Sequence, residues 1–532
     1  MMRKVGLGLL ILLFLAACND VSPAPETNIG TQAQGCNARN NNTYSKLLEC
    51  VTVDGVRQHQ AAFQRIANAN NDAYYPGTRA AGTKGYADSV SYVAGLLRGA
   101  GYNVTLDPFQ FTFDFPALLQ RISPTPATYE TGSFTGSGTG DVTARVTPVD
   151  IALAPPRAST SGCEAADFAG FPAGNIALIQ RGTCSFADKA VNAQAAGAIA
   201  VIIFNQGNDP TREALIVGTL VPPEAGTVKI PVVGASFADG VALTQAGSTA
   251  RVRVLPSETR TDYNVIAELP GTNKNNVVMA GAHLDSVEVG PGINDNGSGS
   301  AAILEVALKL AKVKPENTLR FAWWGAEELG LVGSADYVDG LSQAELDRIA
   351  LYLNFDMVGS PNYIFMVYDA DESSFPAPAG VPIPSGSIAI EDVLESYFTY
   401  AGVAYDDTQF SGRSDYQAFI ENGIPSSGLF TGAEGAKTTE QAAIWGGTAG
   451  AQYDPCYHQA CDTLNNVALR ALDVNSDAIA FAILGYAYST ESVNGVKGKK
   501  VPGAFNLPAP AGPEGTFSSA GGGGLNPGED AQ

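Results

Sequence analysis

Histidine and positive charge are scarce in this sequence. Only three of its 532 residues are histidine, and 53 acidic residues outnumber 31 lysines and arginines, which leaves a net charge of −22. This balance argues against nucleic acid and anionic membrane surfaces as partners, because both are themselves negatively charged. Beyond the N-terminus no apolar run reaches the length of a membrane span, which excludes a polytopic membrane protein.

The N-terminus has the pattern of an export signal. Arg3 and Lys4 precede an apolar run over 5–15, which is too short for a mature transmembrane helix. The small residues before Cys18 resemble a bacterial lipobox, so 1–17 would be a lipoprotein signal peptide and Cys18 the lipidated residue. An ordinary signal peptide that contains a cysteine is the alternative. We expect an exported cell-envelope lipoprotein, in the periplasm, on the cell surface or released, that contacts membrane only through this anchor.

The remaining cysteines predict disulfide bonds. Cys18 is one of seven cysteines, and the other six form an even set, as expected in an oxidising compartment. Pairing neighbours along the chain gives Cys36–Cys50, Cys163–Cys184 and Cys456–Cys461. The alternative, metal ligation by the thiolates of Cys456 and Cys461, is weaker because oxygen and imidazole ligands occur elsewhere in the chain.

The length of the chain predicts two or three domains. Composition divides it into a tether at 18–50, a first α/β segment at 51–115, an insert at 116–258, a second α/β segment at 259–492 and a disordered tail at 493–532. The tether is rich in Asn, Pro, Thr, Gly and Gln, and the tail in Pro and Gly. The insert has short β-branched runs between Gly, Pro, Ser and Thr, which indicate an all-β or α+β fold.

Strand and helix patterns alternate in the second α/β segment. Apolar runs at 276–282, 318–324 and 350–355 indicate buried strands, and helical patterns cover 299–312 and 388–400. This alternation predicts an α/β sandwich around a largely parallel sheet.

Side chains that suit a metal follow these strands. They are His283, Asp295, Glu327, Glu328, Asp356 and His458. Imidazole and carboxylate without thiolate form a ligand set suited to catalytic zinc. Because ligands gather at the carboxyl ends of strands in open α/β sheets, we expect these residues to converge at one edge.

The motifs around these residues resemble those of the secreted bacterial zinc leucyl aminopeptidases. The similar segments are His-Leu-Asp-Ser at 283–286, Gly-Ile-Asn-Asp-Asn-Gly-Ser-Gly at 292–299, Phe-Ala-Trp-Trp-Gly-Ala-Glu-Glu-Leu-Gly at 321–330, Asn-Phe-Asp-Met-Val-Gly-Ser at 354–360 and Cys-Tyr-His-Gln-Ala-Cys-Asp at 456–462. Within the insert, 163–205 resembles a protease-associated domain of aminopeptidase Y-like relatives. The resemblance implies a mostly parallel mixed sheet sandwiched by helices, the zinc exopeptidase fold, with an inserted β-rich protease-associated domain.

The resemblance also implies how the ligands are shared between two zinc ions. His283 and Asp356 would hold one ion, Glu328 and His458 the other, and Asp295 would bridge the two. In this family a cis peptide bond follows the bridging aspartate.

Further roles come from the same resemblance. Glu327 would act as general base and acid, and Tyr457 would donate a hydrogen bond to the oxyanion. Asp285 would orient the His283 imidazole, and Arg413 would face substrate. The family usually has histidine where this chain has Tyr416, which leaves the ligand set intact but questions the local substrate contacts.

Each of these secondary roles has a plainer alternative. Asp285 could simply cap a turn, Tyr457 could pack against the neighbouring disulfide, and Arg413 could form an ordinary surface salt bridge. Asp473 and Asp477 match a peripheral calcium site of some relatives, although a solvated acidic helix face explains them as well.

Together these observations predict an exported, monomeric two-zinc aminopeptidase. It would act on peptides with a free N-terminus and prefer hydrophobic residues such as leucine, a preference that comes from the resemblance alone. Another exopeptidase or a glutaminyl cyclase on the same fold is one alternative. A catalytically inactive binding or receptor protein is the other, although such proteins normally lose ligands or the general base.

Overall fold

The computed structural model describes residues 35–220 and 227–516. The predicted signal peptide and its lipidation site Cys18 lie outside the described residues, as does the final part of the predicted tail. Within the described ranges, every helix is either too short or too polar to cross a bilayer.

The described residues form two sheets and the helices around them. The main helices are α1 Tyr44–Leu48, α2 Val53–Ala69, α3 Lys84–Ala100, α4 Phe186–Ala195, α5 Phe237–Leu243, α6 Gly297–Leu310, α7 Val332–Asp339, α8 Gln343–Leu346, α9 Ser387–Ala401, α10 Gln417–Glu421, α11 Thr439–Trp445, α12 Leu469–Tyr488 and α13 Glu491–Asn494. The strands are β1 Asn103–Phe113, β2 Leu118–Ser123, β3 Ala127–Tyr129, β4 Gly140–Val149, β5 Ile176–Gln180, β6 Ala200–Phe204, β7 Val232–Ala235, β8 Thr249–Val254, β9 Glu258–Leu269, β10 Asn273–His283, β11 Asn317–Trp324, β12 Ile349–Phe355, β13 Met366–Tyr368, β14 Asp406–Thr408 and β15 Ser426–Phe430.

The larger sheet has eight strands in the order β1-β9-β11-β10-β12-β15-β13-β14. Its central strands β11, β10, β12 and β15 are parallel, and antiparallel pairs join β9 to β11 and β13 to β15. The predicted α/β class, with a mixed sheet sandwiched by helices, is therefore confirmed.

Alternate residues of the central strands enter different cores, as the two-residue period of a strand requires. In β10, Val278 and Ala280 pack in a core with α2, α3, α6, α9 and α12, whereas Val277 and Met279 pack with α7 and α10. Burial on both faces explains why the sequence of β10 reads as a continuous apolar run.

Local signals determine where α3 begins and ends. The Thr83 side chain accepts a hydrogen bond from the backbone N–H of Tyr86, which caps the first turn. Gly101 has φ 98°, a left-handed conformation that glycine adopts without strain and that ends the helix.

The insert forms the second sheet, with seven strands in the order β3-β2-β8-β4-β5-β6-β7. Pairs β3/β2, β2/β8 and β8/β4 are antiparallel, and β4, β5, β6 and β7 run parallel. Its sheet packs with α4 and α5, so of the two predicted classes it is α+β. The chain leaves the larger sheet at Phe113 and returns at Glu258, which are paired across β1 and β9.

The structure corrects the predicted tether over its last part. Residues 35–50 are packed on the large domain: Leu47 of α1 is fully buried in the main core. The buried Asn41 side chain donates to the carbonyl oxygen of Lys309 at 2.9 Å. A polar, Asn-rich composition suggested a tether, but buried apolar side chains, the Asn41 hydrogen bond and the Cys36–Cys50 disulfide hold this segment on the domain.

The predicted disordered tail is also wrong for residues 493–516. Glu491–Asn494 is helical, and the Phe505 ring packs against Tyr44 and Phe481, with ring centroids 4.6 and 5.5 Å apart. Farther on, the backbone N–H of Gly512 donates to the hydroxyl of Tyr405 at 2.9 Å. Proline and glycine prevent regular structure in this segment, yet Val501 and Phe505 are partly buried against the main core.

All three predicted disulfides are present. Cys36 pairs with Cys50, Cys163 with Cys184, and Cys456 with Cys461. The pairing of neighbours is therefore confirmed, and the alternative in which Cys456 and Cys461 act as thiolate ligands is wrong.

Candidate metal centre

Three neighbouring strands bring the predicted ligands to one edge of the sheet. His283 is the last residue of β10 and lies opposite Trp324, the last residue of β11. Glu327 and Glu328 follow β11 within a few residues, and Asp356 directly follows β12. The carboxyl ends of these parallel strands therefore present an imidazole and three carboxylates to the same space.

Asp295 lies between the two imidazoles. Its Oδ1 is 3.3 Å from His283 Nε2, and its Oδ2 is 3.4 Å from His458 Nε2. His283 Nε2 is also 3.3 Å from Asp356 Oδ1, and His458 Nε2 is 3.0 Å from Glu328 Oε2. The five residues thus form two half-sites that share one carboxylate, the arrangement that the resemblance implies.

A second aspartate holds the loop that carries Asp295. The two carboxylate oxygens of Asp462 accept hydrogen bonds from the backbone N–H groups of Asn294 and Asp295, at 2.8 and 2.9 Å. The peptide bond between Asp295 and Asn296 is cis, as the resemblance predicted. The Asn296 side chain then caps α6 by accepting from the Gly299 N–H at 2.9 Å. Asp462 closes one of the quoted motifs, but nothing in the sequence assigned it this role.

Asp285 fixes the turn that carries the paired glutamates. Its carboxylate accepts from the backbone N–H groups of Glu327 and Glu328, both at 3.3 Å. Its Oδ1 is 3.6 Å from His283 Nδ1, which is too long for a hydrogen bond. Asp285 therefore caps the turn, as the plainer alternative predicted. It also lies beside the His283 imidazole but forms no hydrogen bond with it.

Whether these residues fit a metal can be judged from the buried polar atoms that lack hydrogen-bond partners. Among the described residues, His283 Nδ1, Glu328 Oε1 and Asp356 Oδ1 are buried and have no hydrogen-bond partner. Burial and then the charge of Asp295 raise the pKa of Glu328 to about 7. Buried carboxylate oxygens without donors are costly unless a cation compensates them. This donor set therefore fits divalent metal.

Glu327 faces the same space but lies farther from the His283 imidazole than the neighbouring aspartates do. Its Oε2 is 3.8 Å from His283 Nε2, which is farther than the corresponding oxygens of Asp295 and Asp356. Burial raises the pKa of Glu327 well above its usual value, against the opposing charge of His283. The Glu327 carboxyl thus lies beside the two half-sites and binds a proton more tightly than an ordinary glutamate does.

Tyr457 and Arg413 meet at the mouth of the centre. The Tyr457 ring stacks on His458, with centroids 3.8 Å apart, and its hydroxyl oxygen accepts from Arg413 Nη2 at 3.1 Å. Arg413 Nη1 donates to Glu434 at 2.8 Å. Arg413 therefore forms an ordinary salt bridge with Glu434, which was the alternative to a substrate contact. Arg413 also lines the cleft. Burial raises the pKa of Tyr457, which keeps its hydroxyl protonated.

An open cleft lies over these residues. The apolar part of its lining, here called the apolar wall, consists of Met357, Met366, Tyr368, Phe430 and Tyr453. The carboxylates, His458 and Tyr457 line the same cleft. The cleft can therefore hold an apolar side chain beside a charged reaction centre.

Asp473 and Asp477 both lie on α12. Burial and the charge of Asp473 raise the pKa of Asp477 to about 7. No third acidic, histidine or cysteine side chain of the described ranges joins them in a cluster that could hold an ion. The predicted calcium site at this pair gains no support.

Known protein families match both parts of the chain. The model of peptidase family M28 matches residues 264–483, and that of the PA domain matches 142–243, within the insert. An aminopeptidase of Pseudomonas aeruginosa is 50% identical over 458 residues, which span 84% of this chain and 83% of that protein. The chain belongs to peptidase family M28. It is a metallo-aminopeptidase with an inserted protease-associated domain.

Other relatives of this M28 peptidase carry more specific descriptions. A probable lipoprotein aminopeptidase LpqL of Mycobacterium tuberculosis is 43% identical, covering 84% of this chain and 87% of that protein. A probable leucine aminopeptidase 2 of Aspergillus fumigatus is 41% identical, covering 79% and 81%. Among solved structures, BSAP, a zinc aminopeptidase from Bacillus subtilis, aligns with a TM-score of 0.53 at 27% identity, covering 81% of this chain and 94% of that one.

Proposed function

We propose that this M28 aminopeptidase is an exported enzyme that uses two zinc ions to remove N-terminal, preferentially hydrophobic residues from peptides. The observation that carries the proposal is the position of Asp295, whose two oxygens each face a different imidazole. One zinc ion would be held by His283 and Asp356, the other by Glu328 and His458. Bound there, the ions would supply Lewis-acid polarisation of the carbonyl and a lowered pKa of water.

Glu327 is the proposed general base and acid. It takes a proton from the attacking water and returns it to the leaving amine, so that the scissile C–N bond breaks with a neutral leaving group. Two features support this role: the raised pKa of its buried carboxyl, and the turn in which Asp285 holds the backbone of both glutamates.

Tyr457 is the proposed donor to the oxyanion of the tetrahedral intermediate. Its hydroxyl lines the cleft beside His458, and the contact with Arg413 leaves the hydroxyl hydrogen available to substrate. One such donor contributes about 3–4 kcal/mol to transition-state stabilisation in other enzymes. Arg413 itself would limit how substrate enters the cleft, because its guanidinium is held in place by a hydrogen bond to Glu434.

The cleft suits a peptide with a free N-terminus. A carboxylate-rich centre attracts the α-ammonium group, and the apolar wall that includes Met366 and Phe430 can receive the first side chain. A preference for leucine is supported by the relatives described as leucine aminopeptidases.

Three disulfides and the lipoprotein relative support export to the cell envelope. We propose lipidation at Cys18 and a monomer that touches membrane only through this anchor. The rival of an inactive binding protein has less support, because the full ligand set and Glu327 are retained around one space.

Hydrolysis of leucyl-p-nitroanilide by the chain from residue 19 onward tests this function. We expect cleavage that stops on chelation and returns with zinc, while an N-acetylated copy of the substrate stays intact. The acetylated copy is the matched control, since it differs only in the free amine. If folded, zinc-loaded protein cleaves no aminoacyl substrate, or cleaves the acetylated copy equally well, the proposed function is wrong.

A further inference from the structure

A second group of carboxylates lies behind the wall of the cleft. Its members are Asp369, Asp371, Glu391, Glu395 and Asp407. Asp369 directly follows β13, Asp407 lies on β14, and the two glutamates lie one turn apart on α9. Tyr368 and Thr408, their neighbours in the chain, line the substrate cleft. The group therefore sits where it can stabilise that wall.

The carboxylates form two overlapping triplets, each close enough to hold a cation. Single oxygens of Glu391, Glu395 and Asp407 all lie within 4.8 Å of one another, and so do those of Asp369, Asp371 and Glu391. Glu391 thus joins the two triplets. Four of the five side chains are buried, while Asp371 is exposed and leaves the group open to solvent on one side.

One carboxylate in the group has an oxygen that nothing in the described protein satisfies. Asp407 is fully buried, and its Oδ1 has no hydrogen-bond partner. Its Oδ2 accepts from the hydroxyl of Ser374. None of the ion pairs among the described residues involves any of the five carboxylates. A buried carboxylate oxygen without a donor or counter-charge requires compensation from another source.

The backbone holds the group in place before any ion binds. The Asp369 carboxylate accepts from the N–H groups of Ser373, Ser374 and Phe375, at 3.0, 3.0 and 2.6 Å. Glu391 Oε2 accepts from the N–H groups of Ala370 and Asp371, at 3.0 and 3.1 Å. These bonds fold the loop after β13 around the carboxylates and leave other oxygens free.

The negative charges of these five carboxylates repel one another. Burial and then the neighbouring carboxylates raise the pKa of Glu391 to about 9, of Glu395 to about 8 and of Asp407 to about 6. Without a cation, Glu391 and Glu395 therefore favour the protonated form at neutral pH.

We propose that Asp369, Asp371, Glu391, Glu395 and Asp407 bind one calcium ion, which joins β13 and β14 at the wall of the substrate cleft. The set offers oxygen alone, without imidazole or thiolate, and this favours a hard cation over zinc. Calcium takes six to eight oxygens in flexible geometry, which suits five carboxylates, whereas magnesium demands a stricter octahedron. The site is separate from the metal centre and does not rest on the proposed catalysis.

Calcium binding to the full chain tests this site. The protein is stripped of metal, reloaded with zinc chloride and titrated with calcium chloride in a calorimeter, and its Tm is measured in each state. We expect one calcium ion per chain, with Kd on the order of 10⁻⁴ M or lower, as for other extracellular calcium modules. Saturating calcium should raise the Tm by about 3 °C.

Two double variants locate the ion. Glu395→Gln with Asp407→Asn should abolish calcium binding and, without calcium, should melt at or above the wild-type Tm, because neutral isosteres remove repulsion between buried carboxylates. Asp473→Asn with Asp477→Asn is the matched control and should keep the calcium response. The proposal is overturned if the wild type binds no calcium, if the first variant keeps the response, or if the control loses it.

Discussion

At the scale of single residues, the two adjacent glutamates differ in what they face. Glu328 lies 3.0 Å from the imidazole of His458, whereas Glu327 is 3.8 Å from that of His283, and both line the open cleft. Both are oriented by backbone hydrogen bonds to Asp285. The shared anchor makes their spacing rigid, so one can serve as a ligand and the other as a base.

Replacing Glu327 with glutamine tests the base. The amide keeps the shape of the side chain but cannot accept a proton, so we expect kcat to fall by roughly 10² to 10⁴ while the protein keeps its zinc and its Tm. Hydrolysis of leucyl-p-nitroanilide and metal analysis measure both effects. Glu440→Gln, at an exposed position of α11, is the control and should retain wild-type kcat. Near-normal turnover of Glu327→Gln would remove this residue from the mechanism.

Replacing Asp462 with asparagine tests the support of the bridging residue. The two oxygens of Asp462 accept from the backbone N–H groups of Asn294 and Asp295. In asparagine only one of the two terminal side-chain atoms can accept a hydrogen bond. We expect zinc affinity to fall about 10- to 100-fold, with activity recovered at excess zinc. An unchanged zinc affinity would mean that the loop holds Asp295 without this carboxylate.

At the scale of elements, short segments outside the predicted domains stabilise the main core. Leu47 of α1 and Phe505 beyond α13 both pack on the core that includes α12. The two segments also touch each other, because the ring of Tyr44 lies against that of Phe505. The two ends of the described chain therefore cover the same face of α12.

Leu47→Ala measures what α1 contributes. Removing a fully buried leucine side chain leaves a cavity and should lower the free energy of unfolding by about 2–5 kcal/mol. Lys46→Ala, at the exposed neighbouring position, should change it by less than about 0.5 kcal/mol. Chemical denaturation of both variants gives the comparison. Equal stabilities would return residues 35–50 to the role of a tether.

The sequence allowed the metal centre to be predicted more completely than the chain ends. Each ligand motif follows a buried strand of the sheet or opens a helix, so a local pattern and one rule of α/β sheets were enough to bring His283 and Asp356 together. Contacts between distant segments gave no such signal. Asp462 is far along the chain from Asn294, and no local pattern predicted that it would hold the Asp295 loop. Phe505 is far from Tyr44, and the composition around each predicted disorder or a tether instead of their contact.

At the scale of the whole molecule, the architecture separates a rigid catalytic sheet from an inserted domain. The insert begins and ends at paired residues of β1 and β9, so it is attached through one two-stranded ribbon. It adds its own sheet and two cores without interrupting the strands that carry the ligands. The strands that carry the ligands therefore remain continuous in the presence of the insert.

The central claim is that Asp295 bridges two zinc ions in an active aminopeptidase. The most direct measurement is a zinc titration of metal-depleted protein, with bound zinc and leucyl-p-nitroanilide hydrolysis followed together. We predict two zinc ions per chain, full activity only when both are bound, and loss of tight double occupancy in Asp295→Asn. Full activity with one bound ion, or two tightly bound ions in Asp295→Asn, would contradict the account.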